Sequence, residues 1–338
     1  MNLEQNHHSS EFVVFLCSGL GMGNATRTYS ICQQLCRLSP EIKICVMTWG
    51  NGLKFYRQAL AKSSMNIELY ELQGYQNPML YIPAYIKNCA SIRRELARVR
   101  PIALVLDSDY HYFGYSNFKN KIIFVGHAMA IVKNWYKYGK RQISITLHFI
   151  FREVLDLIYQ IWVADLIIVP DFIESVQRVG RFVRVPLIVR EEFLTIRCDK
   201  SKKKIGILTG GSVQRQELLD LVASDHRVEL LSSVPSRAEE LASYEFMLIQ
   251  GGLSSLSECL ALGSKIFALP LAGHAEQFVN TSRLHKLGRL TQLENLSDLD
   301  FEMIRNFDEG EPGQIFFNGS EHSARLISEI LSARPSNG

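Results

Sequence analysis

The chain has 338 residues, of which 47% are apolar and 21% charged, and its formal net charge is +3. This length accommodates two domains, and the near-neutral charge, with no basic run longer than Lys202-Lys203-Lys204, gives no basis for nucleic-acid binding. The seven cysteines include no C-x-x-C pair, which favours reduced thiols over a disulfide framework or a zinc site.

Neither a secretory signal nor a membrane span is predicted. The apolar run Phe12–Leu20 follows acidic residues rather than a basic segment, and no apolar stretch reaches eighteen uninterrupted residues. The basic, aromatic segment Asn134–Arg141 precedes a long apolar helical pattern, Ile143–Trp162. This pattern favours a buried helix with basic side chains at its rim, and leaves open a peripheral contact with an anionic membrane. The expected location is the cytoplasm, either free or at the cytoplasmic face of a membrane.

The first strand, turn and helix carry a glycine-rich turn. Phe12–Cys17 is predicted as a buried strand, and Gly19, Gly21 and Gly23 separate it from a helix. The spacing G-x-G-x-G differs from the dinucleotide-binding fingerprint, and the next predicted strand, Ile42–Thr48, ends without the acid that binds a ribose. No nicotinamide or flavin cofactor is therefore expected.

Candidate catalytic residues follow the next buried strands. The predicted strand Ile102–Leu106 delivers Asp107 and Asp109, and Lys121–Val125 delivers His127. Because the carboxyl ends of parallel strands meet at one edge of a sheet, His127 with Asp107 or Asp109 behind it is the leading candidate for a general base and its orienting partner. Two alternatives stay open: the D-x-D pair could share a divalent cation, and a lone histidine is often structural.

The second half of the chain repeats the α/β pattern. After a charged crossover, the predicted strand Ile205–Leu208 ends on a second glycine turn, Gly210–Ser212. A further strand, Phe246–Ile249, ends on Gly251-Gly252 and leads into the predicted helix Leu253–Leu262. Glycines that open a helix let backbone N–H groups approach an anion, so phosphate is expected near Gly251–Ser255. Alternatively, Ser255 and Glu258 would form a capping box without any ligand.

The order of residues after Phe246 resembles the donor-binding motif of GT-B nucleotide-sugar glycosyltransferases, the superfamily of the UDP-glycosyltransferases and MurG-like enzymes. The chain has GG-x-SS-x-x-E, then Leu262-Gly263, Pro270, Glu276-Gln277 and Asn280. Two positions depart from the motif, since Lys265 replaces a proline and Gln250 a histidine. The resemblance implies two Rossmann-like parallel-sheet domains, an α/β fold of the GT-B type, facing a cleft.

The resemblance also implies roles for individual residues. The diphosphate would lie at the two glycine turns, the ribose at Glu258, the donor sugar at Glu276 and Gln277, and the nucleobase against the backbone near Val234. The implied donor-binding residues are Gly210, Gly211, Ser212, Val234, Gly251, Gly252, Ser254, Ser255, Glu258, Glu276 and Gln277.

The amino-terminal turn resembles the acceptor-side loop of the same family, G-x-G-x-G-H-x-x-R. Gly21, Gly23 and Arg27 match this pattern, whereas Asn24 stands where several families have a histidine that acts as the catalytic base. An asparagine cannot take a proton from a hydroxyl at neutral pH. Asn24 is therefore a candidate to hydrogen-bond a substrate, and the base is expected elsewhere.

These implications give one leading function and two alternatives. The leading function is transfer of a hexose or N-acetylhexosamine from a UDP donor to an acceptor hydroxyl, with inversion and without a metal or other cofactor. The alternatives are a nucleotide-sugar hydrolase or 2-epimerase of the same fold, and a non-catalytic nucleotide-sugar-binding protein. Residues 1–188 would bind the acceptor and residues 189–318 the donor, while a helix within 319–338 would return to the first domain. The identity of the acceptor and the oligomeric state are left open.

Overall fold

The computed structural model describes residues 12–74, 81–140, 142–196, 202–208, 216–231, 238–299 and 317–332. Two sheets organise them, one in each half of the chain. The predicted donor-side residues Gly210, Gly211, Ser212 and Val234 lie outside these ranges.

The first sheet has eight strands in the order β3-β2-β1-β4-β5-β6-β8-β7, and all neighbours are parallel except β7 and β8. Its central strands are continuous apolar runs because helices cover both faces. The strands are β1 Phe12–Cys17, β2 Lys43–Thr48, β3 Ile67–Glu71, β4 Ala103–Asp107, β5 Lys121–Val125, β6 Leu166–Pro170, β7 Gln177–Val179 and β8 Phe182–Val185.

The helices of this half alternate with its strands. They are α1 Met22–Leu38, α2 Gly50–Leu60, α3 Tyr81–Val99, α4 Tyr112–Tyr115, α5 Ala128–Tyr138, α6 Ile143–His148 and α7 Leu155–Val163. A π-helical turn, Phe149–Val154, joins α6 and α7. The strand order reverses between β1 and β4, where Cys17 lies opposite Asp107. Ligands of open α/β sheets bind at such a reversal.

The second sheet has five parallel strands in the order β10-β9-β11-β12-β13. These are β9 Lys202–Leu208, β10 Val228–Leu230, β11 Tyr244–Ile249, β12 Lys265–Ala268 and β13 Thr291–Gln292. Its helices are α8 Glu192–Thr195, α9 Gln216–Ser224, α10 Ala238–Ala242, α11 Leu253–Leu262 and α12 Ala275–Lys286, and a 3-10 turn spans Leu296–Asp298. The predicted α/β class with two parallel-sheet units is confirmed.

The chain passes from one core to the other within a few residues. Ile188 packs in the core of the first sheet, whereas Leu187 and Val189 pack in the core of the second. The last helix, α13 Gly319–Ser332, lies against α1, and Ala324 is buried in the first core.

The prediction that Ile143–Trp162 forms a buried helix is wrong. α6, the π-helical turn and α7 form one continuous helix, and one of its faces is exposed: Ile143 is 80% accessible, Phe151 68% and Trp162 64%. We call this face the outer apolar face, and its members are Ile143, Leu147, Ile150, Phe151, Leu155, Ile158, Ile161 and Trp162. Within the described ranges, no helix has both the length and the apolar character needed to cross a bilayer.

Candidate functional site

Two helix N-termini from opposite halves of the chain meet at the centre of the site. The Ser254 hydroxyl in the first turn of α11 donates a hydrogen bond of 3.0 Å to the carbonyl oxygen of Gly23 in the first turn of α1. The N-cap residues, Gly21 and Gly252, provide no side-chain cap. The first-turn N–H groups and the positive ends of both helix dipoles therefore converge on one region.

Of the two glycines that precede α11, only the first must be glycine for steric reasons. Gly251 has φ +91°, and a Cβ there would lie 2.4 Å from Cγ2 of Thr281. At Gly252 a Cβ would meet nothing within 4 Å. The capping-box alternative for Ser255 and Glu258 is wrong, because the helix begins at Leu253 and no side chain caps it.

Glu258 forms a buried ion pair. Its Oε1 accepts a hydrogen bond of 2.8 Å from Nε of Arg190, and the Arg190 guanidinium lies 4.6 Å from the centre of the Phe193 ring. Burial alone would lower the pKa of Arg190, but Glu258 raises it above the usual value. The pair fixes the direction of the Glu258 carboxylate, so any ribose contact would use the oxygen that Arg190 leaves free.

On the side of the first sheet, Arg27 links Asn24 to Asp107. Arg27 Nε donates to Asp107 Oδ2 at 2.9 Å, and Nη2 donates both to Asp107 Oδ1 and, at 3.1 Å, to Asn24 Oδ1. Arg27 is buried, which alone would lower its pKa, and Asp107 raises it. Since the Asn24 oxygen accepts from Arg27, its amide N–H groups are what a ligand would meet.

The predicted pairing of His127 with Asp107 or Asp109 is wrong, because both carboxylates take other partners. Asp109 accepts a hydrogen bond of 3.0 Å from the backbone N–H of His111 and faces the Nδ1 of that ring at 2.8 Å. The Tyr85 ring stacks on His111 with 5.2 Å between centres. The two carboxylates of the D-x-D sequence thus bind different cationic or polar partners, Arg27 and His111.

Both ring nitrogens of His127 are occupied. Nδ1 lies 2.7 Å from the carbonyl oxygen of Pro170, and Nε2 lies 3.0 Å from Oδ1 of Asn280 on α12. The side chain is 7% exposed and joins the two halves of the molecule. To act as a base, His127 would first have to break its bond to Asn280.

The N-terminus of α12 holds the two residues predicted to bind the donor sugar. Gln277 Oε1 accepts from the backbone N–H of Leu271 at 2.9 Å, so the Gln277 side chain is fixed across the turn. Glu276 is half-buried. Burial alone would raise the pKa of Glu276, but His274, His127, Arg152 and Arg27 together lower it.

Sequence reasoning missed three polar residues on the helix opposite α12, of which two are buried and one, Asp156, is half-buried. We call Glu153, Asp156 and Gln160 the inner polar face; they lie three and seven residues apart on the side opposite the outer apolar face. Polar residues at helical spacing within an apolar segment were a signal that could have revealed them. Arg190 was missed because its partner, Glu258, is distant in the sequence. His111 was missed because its pairing with Asp109 follows no regular spacing.

One cluster has atoms close enough for a metal ion within the described part of the chain, and it is not the D-x-D sequence. It consists of Cys45, Glu68 and Glu95. Arg98 already binds both carboxylates there, with 2.8 Å to Glu68. The predicted absence of a metal from the reaction stays a prediction.

Comparisons with known proteins identify the fold. MurG from Acinetobacter baumannii matches with a TM-score of 0.57 at 12% identity, over 94% of this chain and 99% of MurG. UGT71G1 from Medicago truncatula, solved with UDP-glucose, matches with a TM-score of 0.60 at 13% identity, over 95% and 98% of the two chains. A UGT transferase from Siraitia grosvenorii, solved with UDP, matches with a TM-score of 0.56 at 14% identity, over 95% and 93%.

The expected GT-B fold is thereby confirmed over nearly the whole chain. No protein-family model matches the chain, and no curated protein sequence matches it. At identities this low, the comparisons establish the architecture, and the activity has to be argued from the site.

Proposed function

We propose that the protein is a glycosyltransferase that moves a sugar from a nucleoside diphosphate donor to an acceptor hydroxyl. The observation that carries this proposal is the junction between Ser254 and Gly23, where two uncapped helix N-termini meet. Helix N-termini bind anionic phosphate through free N–H groups and through their dipoles. The GT-B fold supports the same proposed function, since similar structures were solved with UDP and with UDP-glucose.

The donor is proposed to be a UDP-hexose or UDP-N-acetylhexosamine that lies along α11 and α12. Its diphosphate would sit at Gly251–Ser255, and its ribose would contact Glu258 through the oxygen that Arg190 does not use. The sugar would contact Glu276 and the amide N–H groups of Gln277, whose oxygen is taken by Leu271. Gly210, Gly211, Ser212 and Val234 remain predicted donor contacts.

The reaction is proposed to invert the anomeric centre and to need no metal. In this scheme the acceptor lies on the side of the first sheet and attacks from the face opposite the leaving diphosphate, which inverts the configuration. Negative charge builds up on the diphosphate as the bond to the sugar breaks. The N-termini of α1 and α11 would stabilise that charge, which is the work that a divalent cation does elsewhere.

A peripheral contact with an anionic membrane is proposed for the acceptor half. The outer apolar face exposes large side chains to water over the whole length of the helix. The neighbouring helix α5 packs against the π-helical turn and carries two exposed lysines, Lys133 and Lys137, next to Tyr136, which is 90% exposed; a third exposed lysine, Lys140, follows the helix. An apolar face beside basic and aromatic side chains is the pattern of helices that lie in a membrane interface.

Thermal stability in the presence of nucleotides tests the donor site. The full chain would be heated with UDP, GDP, TDP and their sugars, and selective stabilisation by one nucleotide is expected. Ligand at 100 times its dissociation constant adds about 2.7 kcal/mol to the free energy of unfolding. No shift with any of them at millimolar concentration, for protein shown to be folded, would refute the donor site.

A further inference from the structure

The continuous helix from Ile143 to Val163 is amphipathic in the reverse sense, with its apolar face in water and its polar face in the interior. On the inner polar face, Glu153 is 5% exposed and Gln160 is fully buried. Burial of a carboxylate and an amide costs free energy unless hydrogen bonds replace those to water. Packing therefore gives no reason for polar residues at these positions.

The inner polar face is only partly satisfied by the rest of the protein. Both amide atoms of Gln160 and Oδ1 of Asp156 are buried without a hydrogen bond of normal geometry. Burial raises the pKa of Asp156, and the neighbouring side chains of Gln160 and Tyr110 oppose that shift. Within the described ranges, the Glu153 carboxylate accepts no hydrogen bond and forms no ion pair. Gln160 lies against Gly126, where a Cβ would approach its Nε2 to 2.7 Å. Unsatisfied buried groups of this kind point to a polar ligand.

The helix places this face beside the donor-sugar end of α12. The backbone N–H of Ala275 lies 3.3 Å from Nδ1 of His148, and the rings of His148 and His274 are 4.5 Å apart. Glu276 follows two residues after His274. Glu153 lies one π-helical turn beyond His148, and π-helical turns recur at functional sites.

The charges around Glu153 favour its protonated form. Burial, and then the negative charges of Glu276 and Asp156, raise the pKa of Glu153 to about 8, while Arg152 opposes the shift. The nearby histidines are His148, whose pKa burial and His274 lower to about 4, and His274, whose pKa burial also lowers. Both rings are therefore neutral near pH 8. Glu153 thus titrates close to neutral pH, as a general base should.

We propose that Glu153, Asp156 and Gln160 form the subsite for the acceptor hydroxyl and that Glu153 is the general base of the transfer. This inference rests on the proposed function. It supplies the proton acceptor that Asn24 cannot be. The class of acceptor is a hydroxylated molecule whose reacting O–H lies against Glu153 while a further hydroxyl meets Asp156; the fully buried Gln160 lies behind Asp156 and positions it.

The proposed step is a balanced group transfer without redox change. The acceptor O–H gives its proton to the Glu153 carboxylate while its oxygen forms a bond to the anomeric carbon. The bond from that carbon to the diphosphate oxygen breaks, and the electron pair leaves with UDP. Protonated Glu153 then returns its proton to solvent.

Proton uptake during donor binding tests the inference without any acceptor. UDP-glucose and UDP-N-acetylglucosamine would be titrated calorimetrically at pH 8 in two buffers of different ionisation enthalpy. Because the donor brings negative charge into the site and its sugar covers Glu153, wild type should take up as much as about half a proton more than Glu153→Gln. The exposed variant Glu321→Gln, which loses only its pair with Arg325, serves as the matched control and should behave as wild type.

Turnover provides the second readout, as UDP release from the same donors with water or octyl glucoside as acceptor. The wild-type rate should rise with pH through about 8 and then level, because the base acts when deprotonated. Glu153→Gln should lower the rate about 100-fold or more and remove this pH dependence while it still binds UDP. Formate should restore part of the activity of Glu153→Ala, which a purely structural role would not allow.

The outcomes separate the two proposals. If wild type binds no UDP, the proposed function fails. If wild type binds UDP but proton uptake does not differ between wild type and Glu153→Gln, the base assignment is overturned and the donor site stands. The base assignment is likewise overturned if Glu153→Gln keeps the wild-type rate and pH profile. If wild type releases no UDP with either acceptor, the proton-uptake comparison alone decides.

Discussion

The hydroxyl of Ser254 donates a hydrogen bond to the carbonyl oxygen of Gly23, over 3.0 Å and a sequence separation of 231 residues. This contact joins the first turns of two helices, each of which belongs to a different sheet. A Cβ on Gly23 would lie 3.0 Å from the Ser254 oxygen. A larger side chain at either position would therefore push the two helices apart. The proposed diphosphate site depends on this junction.

The glycine pair before α11 gives a prediction with a built-in comparison. Gly251→Ala should lower the free energy of unfolding by about 2–4 kcal/mol, because alanine is strained at φ +91° and its Cβ would overlap Thr281. Gly252→Ala should cost less than about 1 kcal/mol, since its Cβ enters open space. Urea denaturation measures both values. Equal losses would contradict the described backbone of this turn.

Gly252→Ala also tests the phosphate site directly. The open space at this residue is where the diphosphate is proposed to approach the backbone. The variant should therefore stay folded and bind UDP at least about tenfold more weakly than wild type, which corresponds to about 1.4 kcal/mol. Calorimetric titration checks this. Unchanged affinity in a folded variant would place the diphosphate elsewhere.

The buried pair of Arg27 and Asp107 should behave as one unit in stability measurements. Asp107→Asn leaves the Arg27 charge buried without its partner and should cost about 3–5 kcal/mol. The double variant Arg27→Met with Asp107→Asn should lose much less than the sum of the single losses. Denaturant unfolding of all four proteins forms the cycle that measures the coupling. Additive losses would mean that the two side chains do not interact.

Asp171, which follows β6 in the first half, forms ion pairs with Arg184 at 2.6 Å and with Arg283 on α12 of the second half, and this interface contact predicts a pH dependence. Burial alone would raise the pKa of Asp171, but Arg283, His127 and Arg184 lower it below the usual value. A carboxylate with a lowered pKa in the folded state contributes stability that is present above its unfolded pKa of about 3.9 and is lost as pH falls through the folded value. Arg283→Met should therefore be destabilised most at pH 5–8, and its difference from wild type should shrink in acid.

The control for that pH series is Arg325→Met, which removes an exposed pair with Glu321. It should cost about 0.5 kcal/mol or less at every pH, because exposed pairs contribute little. A loss for Arg283→Met that does not depend on pH would mean that the packing of Arg283 on Phe172, with 5.1 Å to the ring centre, rather than its charge stabilises the interface.

Membrane attachment through the outer apolar face is tested with vesicles. Phe151→Glu and Trp162→Glu should each weaken binding to vesicles that contain anionic lipid by about tenfold or more, because each removes a large apolar side chain from the membrane interface. Leu194→Glu, an exposed apolar residue on α8, is the matched control and should bind as wild type. Wild type that fails to sediment with such vesicles at low salt would refute the contact.

Local patterns were sufficient to predict much of the fold from the sequence. β1, β5 and α11 begin and end at the predicted residues, because apolar runs and glycine stops bound them on both sides. Short elements such as α4, α10 and β13 were missed, since two to five residues carry too little periodicity and tertiary packing decides their conformation.

The site was less predictable, because long-range partners decide which groups are free. Asp107 and Asp109 were correctly expected at the end of a strand, yet Arg27 and His111 bind them and leave His127 to Asn280. The helix Ile143–Val163 was misjudged because composition alone does not reveal which face meets water. Its exposed and buried faces are known only once α5 and α12 are in place.

The relative affinity of UDP and uridine tests the central claim most directly, because the two ligands differ only in the diphosphate. Calorimetric titration of the full chain, without metal and with a chelator, should show UDP binding at least about 100-fold more tightly than uridine, or about 2.7 kcal/mol. Gly252→Ala should reduce that ratio while it leaves uridine binding unchanged. Equal affinities for UDP and uridine, or no binding of UDP by folded protein, would contradict a diphosphate site at the junction of Gly23 and Ser254.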